Sequence, residues 1–291
     1  MSENPILDVV ERQDWLQPIQ ESGEKFVRAA YSAAGPAGQP IKNALHGVWL
    51  KHPFHAAITD VPVGSWTAAA VLDVLEASGR PEYAVGADAA VATGLVGAVG
   101  AALSGLTDWS ETQGSAQRVG ALHGLLNVGA AILYGTSYAV RKSGNRGAGR
   151  VLGFLGFATV LASAYLGGAI SYNQRIGVNH APDPDEDLPK DFVPVCAEGE
   201  LSEGRPKRVE AGKPVLLLRK GGEIFALAET CSHLGGPLAE GKIEGDTVVC
   251  PWHGSRFCLR DGSVIDGPAT TPQPTLDVRV RDGQIMVRTR K

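Results

Sequence analysis

The chain has little of what marks a nucleic-acid-binding protein or a disulfide-stabilised secreted protein. Its formal net charge is only -4 over 291 residues, which argues against a nucleic-acid partner. Cysteine is scarce: there are 4, all in the second half, and two lie in motifs that contain His, so a disulfide framework is the weaker interpretation. The N-terminus lacks the apolar run of a signal peptide, and no twin-arginine pair precedes an apolar segment. We therefore expect the C-terminal part of the chain to fold without export.

Charge is missing from long stretches of the first half. Three stretches contain no Asp, Glu, Lys or Arg: residues 89–107, 119–140 and 151–174. Each is long enough to cross a hydrocarbon layer of about 30 Å as a helix. A first apolar segment, at 54–75, is interrupted by Asp60 and Asp73. The alternative is a soluble bundle of Ala/Gly-rich helices, but such helices should carry charged faces, and the third and fourth segments carry none.

Composition divides the chain into four regions. Residues 1–53 are predicted to form a short helix and then an irregular run, because Gly35-Pro36 and Gln39-Pro40 interrupt a helix. Strand-like runs separated by Gly-rich turns begin near Phe192. The remaining regions are a four-helix transmembrane domain at 54–175, a Pro-rich acidic linker at 176–190 and a β domain at 191–291. The predicted fold class is thus an N-terminal all-α transmembrane four-helix bundle and a C-terminal all-β domain.

The residues with the clearest chemistry form two mixed pairs. Cys231-Ser-His233 is followed, after 16 residues, by Cys250-Pro-Trp-His253. Thiolates suit ferric iron with bridging sulfide, and neutral imidazoles suit a second iron, so two such loops could hold a [2Fe–2S] cluster between them. The alternative is a Cys2His2 zinc site, although zinc fingers normally pair Cys with Cys and His with His.

The resemblance of residues 191–291 to Rieske ferredoxins and the Rieske domains of related oxidoreductases rests on the text ETCSHLGGPLAEGKIEGDTVVCPWHGSRFCLRDGSVIDGPATTPQP. The resemblance implies that Cys231 and Cys250 bind one iron and that His233 and His253 bind the other. It also implies four residues around the cluster: Leu234, Trp252, Ser255 and Pro268. In this interpretation the Ser255 hydroxyl bonds to a bridging sulfide and the Gly267-Pro268 turn covers the cluster.

Three positions bear on the reduction potential. Quinol-oxidising Rieske proteins join an extra Cys in each loop, where this chain has Gly236 and Trp252. Phe257 stands where high-potential forms direct a Tyr hydroxyl toward a cysteine sulfur. Because hydrogen bonds to sulfur raise the potential, we predict a low or intermediate value, below about +200 mV in a Rieske range of about −150 to +300 mV.

The first half resembles a bacterial membrane family of unknown function, domain of unknown function 2231. The resemblance rests on LKHPFHAAITDVPVGSWTAAAVLDVL and on the later GLTDW and RVGALHGLLN. It implies a multi-pass protein of the bacterial plasma membrane. Four crossings would bring several polar residues toward one face: His52, His55, Asp60, Asp108, His123 and Asn127. Three interpretations remain open: haem b held by His55 and His123, a quinone or proton site that includes His52 and Asp60, and ordinary polar packing.

These features predict a membrane-anchored carrier of single electrons between a soluble redox protein or reductase and a membrane acceptor; a haem or quinone in the helical domain is one of the interpretations left open. The alternatives are a component of a Rieske oxygenase or another oxidoreductase system, and a cluster-based redox sensor. No His follows the cluster motif, so the sequence after it does not build the separate mononuclear iron site of a Rieske oxygenase. Whether the chain is an enzyme stays open. Basic residues at 141–150 favour a cytoplasmic loop there, but Lys42, Lys51 and the missing twin-arginine pair favour a cytoplasmic cluster domain, which we expect.

Overall fold

A computed structural model describes residues 5–290, so residues 1–4 and 291 of the predicted end regions lie outside the described residues. The chain forms two compact units. The first, the helical unit, contains the chain up to Gly38 and Phe54–Ile176. The second, the β unit, contains Gln39–Pro53 and the chain from Gly177 onward. The predicted fold class, all-α followed by all-β, is confirmed.

The N-terminal region is more helical than its prolines suggest. Helices α1 (Pro5–Glu11) and α2 (Gln17–Ala33) belong to the helical unit, and α3 (Gly38–His46) lies almost wholly in the β unit. The predicted irregular run is therefore wrong. Pro40 lies in the first turn of α3, where its missing N–H breaks no intrahelical bond, so it begins a helix instead of interrupting one.

Long apolar helices make up the rest of the helical unit. Their bounds are α4 Phe54–Ile58, α5 Asp60–Ala77, α6 Ala84–Trp109, α7 Gly114–Lys142 and α8 Arg146–Tyr172. With 26 residues, α6 is about 39 Å long, against about 30 Å of hydrocarbon in a bilayer. By length and composition four segments could each span a membrane: Phe54–Ala77, Pro81–Trp109, Gly114–Lys142 and Arg146–Tyr172.

Small residues allow these helices to approach closely. A Cβ on Gly94 of α6 would lie 2.2 Å from Nε1 of Trp66, and a Cβ on Gly105 would lie 2.8 Å from the His55 ring. Trp66 in turn stacks on Tyr134 of α7, with ring centroids 4.2 Å apart. Since dispersion contacts replace hydrophobic association inside a membrane, this small-against-large packing is the expected source of helix association.

Charged residues at one end of the helical unit are paired. The Arg141 guanidinium donates to both carboxylate oxygens of Asp73, at 2.6 and 2.5 Å, and both side chains are almost fully buried. The basic run at 141–150 forms these ion pairs: Arg141–Asp73, Lys142–Asp88, Arg146–Glu76 and Arg150–Glu76. Asp73 and Asp88, two acids within the apolar segments, therefore have specific partners on other helices.

Three antiparallel sheets form the β unit in the described residues. Their orders are β1-β10-β9, β2-β3-β4 and β5-β6-β7-β8. The strands are β1 Val193–Ala197, β2 Lys207–Ala211, β3 Lys213–Lys220, β4 Glu223–Ala228, β5 Lys242–Glu244, β6 Thr247–Val249, β7 Arg256–Cys258, β8 Val264–Asp266, β9 Leu276–Arg281 and β10 Gln284–Thr289. The registers place Leu216 opposite Leu227 and Val248 opposite Phe257. These side chains form a buried core that also includes Cys231 and Cys250.

The predicted linker at 176–190 contains no helix or strand, and from Gly177 onward it belongs to the β unit. The His180 amide donates to the Ser232 carbonyl at 3.0 Å, and the Thr289 amide donates to the Pro189 carbonyl at 2.7 Å. Lys213 pairs with Asp187 at 3.2 Å. The linker residues therefore contact both the loop that carries Cys231 and the final strand.

Candidate metal centre

The first predicted ligand pair lies in the loop that follows β4. The Cys231 amide donates to the Gly236 carbonyl and the Gly235 amide donates to the Cys231 carbonyl, both at 2.9 Å. Gly235 has a φ of 78°, in the left-handed region that glycine adopts without strain. The backbone amides of His233 and Leu234 donate to the Cys231 sulfur.

The second pair lies between β6 and β7, in a loop built in the same way. The Cys250 amide donates to the Ser255 carbonyl at 2.8 Å, and the Gly254 amide donates to the Cys250 carbonyl at 3.1 Å. Gly254, like its counterpart, stands four residues after the cysteine and has a positive φ, of 74°. The backbone amides of Trp252 and His253 donate to the Cys250 sulfur. Each loop therefore presents one sulfur that already accepts two N–H groups.

The two loops bring like residues together. The Cys231 thiol donates to the Cys250 sulfur, and this hydrogen bond, with burial, raises the pKa of Cys231. The same hydrogen bond lowers the pKa of Cys250 to about 7. The imidazole rings of His233 and His253 lie edge to face, with centroids 5.0 Å apart. Burial, and next the neighbouring His253, lower the pKa of His233 to about 3, so its imidazole is neutral, as metal ligation requires.

The two loops approach each other closely at Gly236. A Cβ on Gly236 would lie 2.8 Å from the Cys250 sulfur and 3.2 Å from the Trp252 ring. No side chain fits at Gly236 without a shift of one loop. All four cysteines are free thiols.

The predicted surrounding residues take distinct places. Ser255 is fully buried, and its Oγ accepts from the Ala269 amide at 3.0 Å. Pro268 is buried after a cis peptide bond with Gly267. Trp252 is 56% exposed, and its ring lies at right angles to that of His253.

Comparison with known proteins identifies the β unit. Residues 191–279 match the family model described as the Rieske [2Fe-2S] domain. Over 94 residues the chain is 38% identical to the ferredoxin component of biphenyl 2,3-dioxygenase from Rhodococcus jostii (strain RHA1), which covers 32% of this chain and 88% of that protein. The chain belongs to the Rieske [2Fe–2S] domain family.

Further matches cover both parts of the chain. The 3-phenylpropionate/cinnamic acid dioxygenase ferredoxin subunit from Photorhabdus laumondii is 40% identical over 94 residues, which cover 32% of this chain and 90% of that protein. The ferredoxin of carbazole 1,9a-dioxygenase from Nocardioides aromaticivorans IC177 is a solved structure with 28% identity and a TM-score of 0.33, covering 35% of this chain and all of that one. Residues 51–180 match a second family model, described as Predicted membrane protein (DUF2231).

The Rieske domain implies a [2Fe–2S] cluster, and the residues at its loop tips fit one. In the described part of the chain, Nδ1 of His233 is buried and has no hydrogen-bond partner, as expected of a nitrogen reserved for a metal. The paired sulfurs and the paired imidazoles correspond to the two ligand types of the two irons. When bound, the cluster supplies a one-electron couple.

One residue that holds the site was missed by sequence reasoning. Gln273, between two prolines and 1% exposed, donates from Nε2 to the carbonyls of Ala228 and Thr230, at 2.7 and 2.6 Å. Its Oε1 accepts from the Ser232 amide at 3.1 Å. Gln273 therefore links the end of β4 to the Cys231 loop of the Rieske domain. The only signal in the sequence was a polar residue inside the Pro-rich text TPQP.

The structure brings two of the candidate haem or quinone residues together. The rings of His55 and His123 are 6.4 Å apart in the helical unit. Nδ1 of His55 lies 2.9 Å from the Ala101 carbonyl, and Nδ1 of His123 lies 2.8 Å from the Ser163 carbonyl. Nε2 of His123 lies 3.0 Å from the Asn127 amide. Both ring nitrogens of His123 are therefore engaged by the protein.

The two other candidates do not join that pair. His52 belongs to the same unit as the Rieske domain, where it is exposed and its Nδ1 lies 3.3 Å from the Pro53 carbonyl. Asp60 is exposed at the first residue of α5. A carboxylate at this position is favoured by the partial positive charge of the helix N-terminus.

Proposed function

We propose that this protein is a membrane-anchored Rieske electron carrier that passes single electrons between a soluble redox protein and an acceptor at the membrane. One observation carries the proposal: the same chain combines a two-loop tip of paired Cys and His with four helices long and apolar enough to cross a bilayer. The relatives named above are ferredoxin components and subunits of dioxygenases, which supports a soluble reductase or oxygenase as partner. A hydrophobic anchor restricts such a carrier to encounters at the membrane surface.

Within this proposal the four loop-tip residues hold the cluster. Cys231 and Cys250 bind one iron, and His233 and His253 bind the other, with their neutral rings in place of two thiolates. Amides such as those of Leu234 and Trp252 lower the charge density on the sulfurs, which favours the reduced state. The partly exposed His253 and the exposed Trp252 beside it provide a short path for an electron to a docked partner.

The anchor is assigned to residues 54–175, the linker to 176–190 and the Rieske domain to 191–291. An even number of crossings returns the chain to the side on which it began. The Rieske domain then shares a side with the segment before the first span, which we assign to the cytoplasm of a bacterial cell.

We assign the His55–His123 pair to helix packing and not to haem ligation. If Nδ1 of His123 donates to the Ser163 carbonyl, Nε2 must accept from Asn127, and no lone pair is left for an axial bond. Gly105 and Gly167 make room for the two rings, since Cβ atoms there would lie 2.8 and 3.2 Å from them. A pyridine haemochrome assay of the purified protein should therefore give no signal.

The decisive experiment is electron paramagnetic resonance and optical spectroscopy of the detergent-purified protein before and after dithionite. We expect a reduced Rieske signal without a haem Soret band, in protein that stays in the membrane after a carbonate wash. Cys231→Ser should abolish the signal, and Cys196→Ser, on β1, is the matched control that should keep it. Protein at full iron loading without a Rieske signal would contradict the proposal. Reduction that alters partner binding without onward electron transfer would favour a sensor.

A further inference from the structure

The segment Gln39–Pro53 packs in the same unit as the Rieske domain, although it lies far outside the matched residues 191–279. It contains α3 and a 3-10 turn at Val48–Leu50. Along the chain it connects α2 to α4, which both belong to the helical unit. The Rieske domain is therefore in contact with a part of the chain that its own family match does not include.

Asn43 of α3 holds the end of β8. Its Oδ1 accepts from the Gly267 amide at 3.0 Å, and its Nδ2 donates to Oδ1 of Asp266 at 2.8 Å and to the Ile265 carbonyl at 3.4 Å. Each end of the Asn43 amide faces groups of the opposite kind, so the orientation of the side chain is determined by its partners. Exposed Gln39 adds a donor to the same Oδ1 at 2.9 Å.

Gly267 also packs closely against the segment Gln39–Pro53. A Cβ on Gly267 would lie 3.0 Å from Cδ2 of His46 and 3.3 Å from Cγ2 of Val48. His46 is 1% exposed. The segment thus lies directly against the backbone at Gly267, and a side chain there would separate the two surfaces.

From Gly267 a short path leads to the cluster site. Two residues on, the Ala269 amide donates to Oγ of the buried Ser255 at 3.0 Å. The Ser255 carbonyl in turn accepts from the Cys250 amide. Because Ser255 Oγ accepts from Ala269, its own proton is directed to a different acceptor. The direction of that O–H bond therefore depends on where residues 267–269 lie.

We propose that Asn43 is a positioning residue for the cluster: it fixes the Gly267–Pro268 turn and, through Ala269, the direction of the Ser255 hydroxyl. The proposal rests on the proposed function, since it needs the cluster at the loop tips. It assigns to a segment outside the Rieske family match a part in setting the cluster's reduction potential.

The test compares full-length proteins in detergent by redox titration monitored by electron paramagnetic resonance. In Asn43→Ala the Ser255 donor is less well placed, so at a fixed ambient potential the ratio of reduced to oxidised cluster should fall by about threefold or more, the effect of weakening one hydrogen bond to sulfur. The g values should shift with it. Gln39→Ala is the matched control, since it removes the exposed donor to Asn43 but leaves the bonds to residues 265–267.

A donor–acceptor exchange provides the second variant. Asn43→Asp alone should shift the potential, because it places a carboxylate against Asp266. Asn43→Asp combined with Asp266→Asn reverses donor and acceptor while an oxygen still faces the Gly267 amide, and it should restore the wild-type ratio. Restoration supports positioning by this contact, and an exchanged pair that stays shifted or fails to load the cluster overturns it.

Amide hydrogen exchange at Gly267 and Ala269 provides a readout without the cluster. In cluster-free Asn43→Ala both amides should exchange faster than in wild type. Faster exchange with an unchanged potential in the loaded protein would show a purely structural contact and overturn the proposal. Absence of a Rieske signal from wild type would instead overturn the proposed function, so the two failures are distinguishable.

Discussion

The Ser255 hydroxyl can form two hydrogen bonds at once, one as an acceptor and one as a donor. Its oxygen accepts from the Ala269 amide, and in the role proposed for it the hydroxyl donates its proton to the cluster. We predict that Ser255→Ala lowers the midpoint potential. Losing a hydrogen bond worth about 1 kcal/mol lowers a one-electron potential by about 40 mV.

The measurement is a redox titration of both loaded proteins. Ser232→Ala is the matched control, because Ser232 is buried in the other loop but donates to the Thr271 carbonyl at 2.7 Å. A potential that is unchanged in Ser255→Ala, or that falls equally in the control, would contradict the role assigned to this hydroxyl.

Gly236 provides a steric prediction. A methyl group at this position would lie 2.8 Å from the Cys250 sulfur, well inside van der Waals contact. Gly236→Ala should therefore push the loops apart and lower the iron content per protein after purification. Gly199→Ala, where a Cβ meets nothing within 4 Å, is the control and should load normally. Equal loading of the two variants would show that the loops adjust freely.

The ligand motif could be predicted from sequence because its information is local. Cys231, His233, Cys250 and His253 lie in two short loops of the same design, and their spacing is visible without any fold. Asn43 and Gln273 carry no such signal. Each acts through hydrogen bonds to backbone groups tens to hundreds of residues away, for example Gln273 to Ala228, 45 residues earlier. Such a partner depends on the finished fold.

Among the elements, α5 and α7 are joined by a charge pair inside the helical unit. The Arg141 side chain is 0% exposed and that of Asp73 is 2% exposed. Arg141→Met leaves a buried carboxylate without its partner, which should destabilise the protein by about 3–5 kcal/mol. Denaturation in detergent, followed by circular dichroism, measures this loss.

Two further variants separate pairing from charge. Lys142→Met removes a neighbouring cation that is half exposed, and it should cost about 1 kcal/mol or less. The double variant Asp73→Leu with Arg141→Met should recover most of the lost stability, because no unpaired charge remains. An Arg141→Met protein as stable as wild type would contradict a stabilising role for this ion pair.

The elements themselves were predictable to different degrees. The three charge-free stretches correspond to α6, α7 and α8, whose ends differ from theirs by at most five residues. A long run without charge is typical of a helix that lies in an apolar environment, so these helices could be predicted from the sequence. The N-terminal region departs from its prediction, because Pro40 begins a helix instead of breaking one. Only the position of the proline within the first turn decides that question, and composition does not report position.

At the scale of the whole molecule, the four proposed spans predict on which side of the membrane the α7–α8 turn and the β unit lie. In a background with Cys196→Ser and Cys258→Ser, a membrane-impermeant maleimide should label Ser143→Cys, in the exposed α7–α8 turn, in intact cells. It should label Ser202→Cys, exposed in the β unit, only after lysis. The two positions are separated by one crossing and therefore lie on opposite sides.

Other labelling patterns are equally informative. The reverse pattern would place the Rieske domain outside the cytoplasm while keeping four crossings. Labelling of both positions on the same side would be incompatible with the α8 crossing and thus with the anchor as assigned.

The hydrogen bond between Asn43 and Gly267 joins residues 224 positions apart, so the ribosome synthesises its two partners at different times. At about 5–20 residues per second, about 10–45 s of synthesis separates the two residues. During that interval all four apolar helices leave the ribosome, while α3 has no β8 turn to contact. Insertion into the bilayer is therefore expected to precede the closing of this contact, and a ribosome stalled after Tyr172 should leave α3 open to a protease that cannot cut it in the finished protein.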